Sequence, residues 1–355
     1  MPRHGAENSA TSRYQSHVAK KVFVIAIAFA ILVVLFFVSI GIGSMKIAPL
    51  NVLAALFHVG DDTNLLVILK HRLPRTLLAI VSGVALSLSG CVMQSVLRNP
   101  MASASTMGIS QGAAFGASFA IVILGAGNMK SMGSDTLSIS QPYTVTICAF
   151  AVAMITTLVI MMIAKHKKAT PESMVLGGVA LSSLLTGGTT LLQYFASDIQ
   201  LSAIVYWTFG DLGRGSWTEM KIVTVLTAIL SVYFYANRWA YNALDSGENS
   251  AKTLGVNVSQ VRIVGLTLCA LLTATVVSFV GIISFIGLVA PHLMRRLIGD
   301  DHRYLLPGSA VAGSALLLAS DTVARTILAP TMLPVGAITS FLGAPVFLYL
   351  LFWRK

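Results

Sequence analysis

The sequence predicts an all-α polytopic membrane protein with ten transmembrane helices, and three observations carry that prediction. Of 355 residues, 55% are hydrophobic and only 10% are charged, with a mean hydropathy of +0.81, a balance outside the soluble globular range. The apolar residues fall in long runs, of which the uncharged stretch Thr76 to Leu97 alone supplies the roughly 20 residues needed to cross a hydrocarbon core. The 24 Lys and Arg lie in ones, twos and threes between the runs. That scatter argues against a nucleic-acid surface and fits a chain oriented by its basic loops.

Residues 1–21 are polar, with Arg3, Arg13, Lys20 and Lys21, and are expected to form an unstructured cytoplasmic tail. Span one, about 22–43, has no A-x-A-like end and is expected to be retained rather than cleaved. An external loop with a short helix near 50–58 leads to span two, whose Ser82, Gly83, Ser87, Ser89 and Gly90 allow close helix packing in lipid. Asn99-Pro100 ends it. Span three is about 106–126, and an external loop with Gly133-Ser134-Asp135 precedes span four, which starts at Pro142 and closes on Lys165-His166-Lys167-Lys168. Thr170-Pro171-Glu172 starts span five, weakened at its middle by Gly187-Gly188. Residues 202–209 suit an external helix lying against the bundle; spans six to ten follow at about 218–237, 262–281, 284–297, 305–326 and 333–353.

This arrangement puts sixteen Lys and Arg inside and eight outside, with both termini in the cytoplasm. Ser87-x-x-Gly90, Pro100 and Gly108 recur at identical spacing as Ser278-x-x-Gly281, Pro291 and Gly299. With five spans per half, the pattern predicts an inverted repeat of spans 2–5 and 7–10.

No chemistry of bond-making is visible. Paired carboxylates, a histidine cluster and a nucleophile elbow are all missing, His292 suits a loop or interface, and Cys91, Cys148 and Cys269 lie in apolar runs without a C-x-x-C pair. No Gly-Lys dipeptide occurs, so a phosphate-binding P-loop is excluded and uphill transport needs ATP hydrolysed by another chain. A stand-alone secondary carrier is the alternative, disfavoured because spans two, five and seven carry no acid. The inner loop 238–261 offers Asp245-x-x-Glu248 as a capping-box start, Gly255 as a stop and Asn257-x-x-Gln260 as a second start, with Glu248 and Lys252 positioned to pair. Such a loop suits either a solvated hairpin or a seat for a partner.

External charge gathers in one place, where Lys70, Arg72 and Arg75 meet the mouth of span two and Arg325 follows Asp321 by one turn. These arginines could dock an acidic partner. Equally, Arg325 could pair with Asp321 while Arg72 and Arg75 lie among headgroups.

The ordered motifs Arg72-Leu73-Pro74-Arg75-Thr76, Ser89-Gly90-Cys91-Val92-Met93-Gln94, Arg98-Asn99-Pro100-Met101-Ala102, Gly108-Ile109-Ser110-Gln111-Gly112-Ala113, Phe285-Ile286-Gly287-Leu288-Val289-Ala290-Pro291-His292, Asp301-His302-Arg303, Leu333-Pro334-Val335-Gly336 and Gly343-Ala344-Pro345-Val346-Phe347 resemble the permease subunits of type II ABC importers, the FecCD family. That family carries ferric siderophores, haem and cobalamin. The resemblance implies a ten-helix permease domain over 22–355 in a bacterial cytoplasmic membrane, paired with a second permease copy or close paralogue. It also implies two ABC ATPase subunits, which hold the ATP and Mg, and an extracytoplasmic substrate-binding protein; the chain itself is expected to bind no cofactor. By the same resemblance Arg72, Arg75 and Arg325 would dock the binding protein, and Glu248, Ala251, Leu254 and Gly255 would form the ATPase coupling loop. Thr186, Gly187, Thr190 and Gln193 would line the path, with a cytoplasmic gate near Thr170 and Pro171. The substrate of choice is a ferric siderophore, moved by alternating access.

Overall fold

The structure is a computed structural model that describes residues 3–43, 52, 54, 65–127, 141–165, 170–329 and 331–352, and among these no strand occurs. Of the short helix expected near 50–58 only residues 52 and 54 are described, both helical; the 133–135 loop, the basic residues 166–168 and the C-terminal Arg354 and Lys355 lie outside the described residues.

The first helix, α1 (Arg3–Gly41), runs through the polar N-terminal segment into the first span. The segment expected to be unstructured is thus helical from Arg3, in keeping with the absence of any proline from 3 to 41. A π-helical stretch, Val67–Arg72, leads into α2 (Leu73–Val96). Then come α3 (Ile109–Val122), α4 (Pro142–Lys165), α5 (Pro171–Phe195) and α6 (Asp198–Thr208), with a 3₁₀ turn at Leu212–Arg214. The second half holds α7 (Trp217–Ala236), α8 (Arg238–Asp245), α9 (Glu248–Thr253), α10 (Val258–Val280), α11 (Ile286–Ile298), α12 (His302–Thr326) and α13 (Val335–Phe352).

Seven stretches among the described residues are long and apolar enough to cross a membrane: α1 from Gln15, the π-helical stretch with α2, α4, α5, α7, α10 and α12. The third, eighth and tenth expected spans are helices too, but α3 and α13 are shorter and α11 has only 13 residues with Arg295 and Arg296 in its last turn.

Helix α2 is the centre of the bundle, packed against α7, α10, α11 and α12. Its glycines decide how close the neighbours come. A methyl group built on Gly83 would lie 2.6 Å from the Gly313 carbonyl oxygen of α12, and one on Gly90 would lie 1.7 Å from the Gly287 oxygen of α11. Only glycine fits at these crossings, where lipid provides no hydrophobic pressure and close van der Waals contact must hold the helices. By contrast α5 is exposed along most of its length, with Leu176 and Leu184 each 69% exposed.

Two local expectations are corrected. Gly187-Gly188 does not interrupt α5, which continues to Phe195. Nor does the four-position spacing match pair equivalent places: Gly108 precedes α3 as its N-cap, whereas Gly299 follows α11 as its C-cap. Phe285, not Gly299, shares the setting of Gly108: both are left-handed residues, φ 66° and 74°, immediately before a short helix.

Candidate functional site

At one end of the bundle, Arg72, Arg75 and Arg325 are brought together as expected, around a cleft of about 420 Å³ that Asp211 also lines. Each arginine is largely buried. Arg75 Nη2 and Nε donate to Asp321 Oδ1 at 2.8 and 3.0 Å, and Arg325 Nε donates to Asp321 Oδ2 at 3.0 Å. Asp211 adds a second carboxylate 3.4 Å from Arg75 Nη2. Arg325 Nη2 also donates to Ser39 Oγ of α1 at 2.7 Å, and Arg72 Nη1 to the Ile40 carbonyl at 2.7 Å, which satisfies a helix-terminal oxygen of α1.

The weighed pairing of Arg325 with Asp321 is therefore present, while Arg72 and Arg75 bond within the protein rather than among headgroups. Three guanidiniums meet two carboxylates here, so the cleft keeps an excess positive charge. Asp321 is also an acid inside a span, which qualifies the argument from missing intramembrane acids; two guanidiniums engage it, as buried charges require. Asp211 and Ser39 were not legible as site residues, since their partners lie far away in the chain.

At the other end, the loop between α7 and α10 is built differently from its sequence reading. Asp245 closes α8 and does not cap the next helix; Gly247 stands at that position. Glu248 pairs with Arg262 of α10 instead of Lys252. The stop and restart hold, because Gly255 has a φ of +80° just past α9 and the Gln260 N–H donates to Asn257 Oδ1 at 3.1 Å. Within the loop Ala251 is fully buried, whereas Leu254 is 71% exposed.

Helix α8, absent from the sequence reading, is tied down by a polar network. His302 Nε2 lies 2.8 Å from Ser95 Oγ of α2, and His302 Nδ1 lies 2.9 Å from Asn242 Oδ1 of α8. Asn242 Nδ2 donates to Asp301 Oδ1 at 3.0 Å, and Arg295 Nη1 lies 3.6 Å from Asp245 Oδ2 and 2.9 Å from Asp300 Oδ1. Burial pushes the Asp245 carboxyl above the usual carboxylate range, against the pull of Arg295 and Ser95. For Asp301 burial works in the same direction, but hydrogen bonds from the Arg303 N–H and Asn242 outweigh it and hold the carboxyl below that range.

On α5, Thr186, Gly187 and Thr190 are exposed and Gln193 is half-buried on the unpartnered face. Thr190 Oγ1 donates to the Thr186 carbonyl at 3.0 Å. A methyl group on Gly187 would meet nothing within 4 Å. Thr170 caps α5, with the Ser173 N–H donating to its Oγ1 at 3.3 Å, and Pro171 takes the first helical position. Among the described residues no group of three or more His, Cys, Asp or Glu is placed to hold a metal ion.

The profile of the FecCD transport family matches residues 31–353. The chain belongs to that family. A relative from Methanocaldococcus jannaschii, named as an ABC transporter permease protein, is 50% identical over 342 residues, covering 96% of this chain and 97% of its own length. The hemin transport system permease protein HmuU of Yersinia pestis is 37% identical over 287 residues, covering 81% and 83%. Among solved structures, an inward-facing conformation of a metal-chelate type ABC transporter superposes with a TM-score of 0.80 at 28% identity, covering 93% of this chain and 99% of that one.

Proposed function

We propose that this FecCD chain is the membrane-spanning permease of an ABC importer for a metal chelate. The observation that carries the reading is near full-length kinship with permeases, one of them named for hemin, together with the likeness to a metal-chelate transporter. Within that class the reading is an iron chelate, with a ferric siderophore the first choice and haem or cobalamin the others.

In this reading the chain supplies no catalysis. Two ABC ATPase subunits bind ATP and Mg, a second permease copy or close paralogue completes the path, and alternating access moves the solute. The mostly exposed α5 then faces the partner copy, with Thr186, Gly187, Thr190 and Gln193 toward the solute and Thr170 and Pro171 at the cytoplasmic gate. Small neutral groups suit a bulky ligand that is released easily. Glu248, Ala251, Leu254 and Gly255 couple to the ATPase; of these the exposed Leu254 is the contact, while buried Ala251 and the Glu248–Arg262 pair set the loop's shape. The excess positive charge around Arg72, Arg75 and Arg325 receives acidic side chains of the substrate-binding protein.

Ten spans in an inverted repeat, 2–5 and 7–10, with a tail 1–21 and both termini in the cytoplasm of a bacterial inner membrane, complete the proposal. Its support is the order of helix lengths: α2 to α5 have 24, 14, 24 and 25 residues, and α10 to α13 have 23, 13, 25 and 18. Proteoliposomes holding the chain, its ATPase and a loaded binding protein test the function. Uptake should require ATP and ignore ion gradients; uptake that follows an ion gradient without ATP would overturn the reading.

A further inference from the structure

We propose that the groove bounded by α2, α7 and α12 is a binding site for an anionic phospholipid, with Arg238 as its headgroup contact. The groove encloses about 620 Å³ and its walls are Val84 and Leu88 of α2, Val232 of α7, and Leu306, Pro307 and Ala310 of α12. All six present hydrocarbon. Val232 is 72% exposed, so the groove opens on the outside of the bundle, where acyl chains are the available apolar filler.

The polar end of the groove selects among lipids. Arg238 lines it and opens α8, directly after the last turn of α7. Its guanidinium carbon lies 4.6 Å from the Tyr235 ring centroid and 5.7 Å from that of Trp239, and Nη1 donates to the Tyr235 carbonyl at 2.9 Å. Among the described residues no carboxylate forms an ion pair with it. An arginine held by two aromatic rings and short of an acceptor is matched by a phosphate oxygen, which takes charge-assisted hydrogen bonds from the fork. Tyr235 and Trp239 are themselves 43% and 65% exposed, the amphipathic aromatics that sit at headgroup depth.

A second cation falls in register. Arg303 is exposed and lies three and four residues before Leu306 and Pro307, on the same face of α12. With Arg238 on the groove's lining and Arg303 one turn before its α12 wall, a lipid of net negative charge is favoured over a zwitterion, whose own ammonium offsets the phosphate. Each cation near a headgroup is worth roughly fivefold in affinity.

The test uses the full-length chain in nanodiscs of equal phosphatidylglycerol and phosphatidylcholine, released gently and read by native mass spectrometry. Wild type should retain phosphatidylglycerol over phosphatidylcholine by roughly fivefold or more. Arg238→Gln should lower that ratio by roughly fivefold, Lys165→Gln, the same charge change at the far end of α4, should leave it unchanged, and Ala310→Phe should reduce retention of both lipids. Equal retention by wild type, an unchanged ratio in Arg238→Gln, or a groove filled by a second copy or another protein would overturn the proposal. Should Arg238→Gln fail to fold, Ala310→Phe decides, since undiminished retention there has the same consequence.

Discussion

Arg75 of α2 places two nitrogens on one oxygen of Asp321, Nη2 at 2.8 Å and Nε at 3.0 Å, joining helices 246 residues apart in the chain. Arg325 takes the other oxygen and reaches on to Ser39 of α1, so one fully buried carboxylate ties three helices together. Its removal leaves buried Arg325 without a counterion and Arg75 with only the more distant Asp211, 3.4 Å away. Asp321→Ala should therefore cost about 3–5 kcal/mol, measured by unfolding in mixed micelles, and adding Arg75→Met should recover part of that loss. A change under about 1 kcal/mol would mean that the cluster does not hold the helices.

Glycines on α2 and α5 should respond in opposite ways. Gly90→Ala drives a methyl group into the Gly287 backbone and should destabilise by at least the roughly 1–3 kcal/mol of an overpacked core. Gly187→Ala meets open space inside a helix and should be neutral or stabilising by up to about 1 kcal/mol. If Gly187 lines the path, Gly187→Leu should fold normally and transport slowly. Normal uptake by that variant would remove Gly187 from the path.

Asp301 gives a pH signature at the start of α12. Its folded carboxyl lies below the unfolded value near 3.9, so its contribution is complete above that value and disappears as pH falls through the folded one. Asp301→Ala should cost about 1 kcal/mol at pH 7 as a lost N-cap, and the difference from wild type should shrink below about pH 4. A pH-independent difference would assign the effect to packing instead.

The Glu248–Arg262 pair fixes α9 against α10, and Arg262 Nε also donates to the Val96 carbonyl of α2 at 3.0 Å. Arg262→Ala should leave ATP hydrolysis by the assembled transporter running while solute moved per ATP falls several-fold. Stability should fall by about 1–3 kcal/mol, since the mostly buried guanidinium also serves the Val96 carbonyl. An unchanged transport ratio would contradict the coupling reading.

What could be seen in the sequence was whatever depends on neighbours within a turn or two. Thr170, Asn257 and Gly255 cap or stop helices by contacts three or four residues long, and each does so as expected. Span positions follow from hydrocarbon thickness and the length of apolar runs. Arg75 with Asp321, Ser95 with His302 and Glu248 with Arg262 were invisible because helix packing, not chain proximity, chooses the partner. Helix α8 was missed because its eight residues mix Arg238, Asn242 and Asp245 with apolar positions, a pattern that looks like loop until His302 and Ser95 supply its polar face. The matched spacing paired Gly108 with Gly299, whereas the backbone conformation that Gly108 has, left-handed just before a short helix, is found at Phe285.

The most direct measurement of the central claim is purification of the tagged chain from its native membrane under mild detergent, with identification of what remains bound. A permease of this class should carry a stoichiometric partner ATPase with a P-loop, lost on deletion of residues 248–255. A chain that emerges alone from several mild detergents, yet still drives solute uptake in vesicles without ATP, would contradict the account.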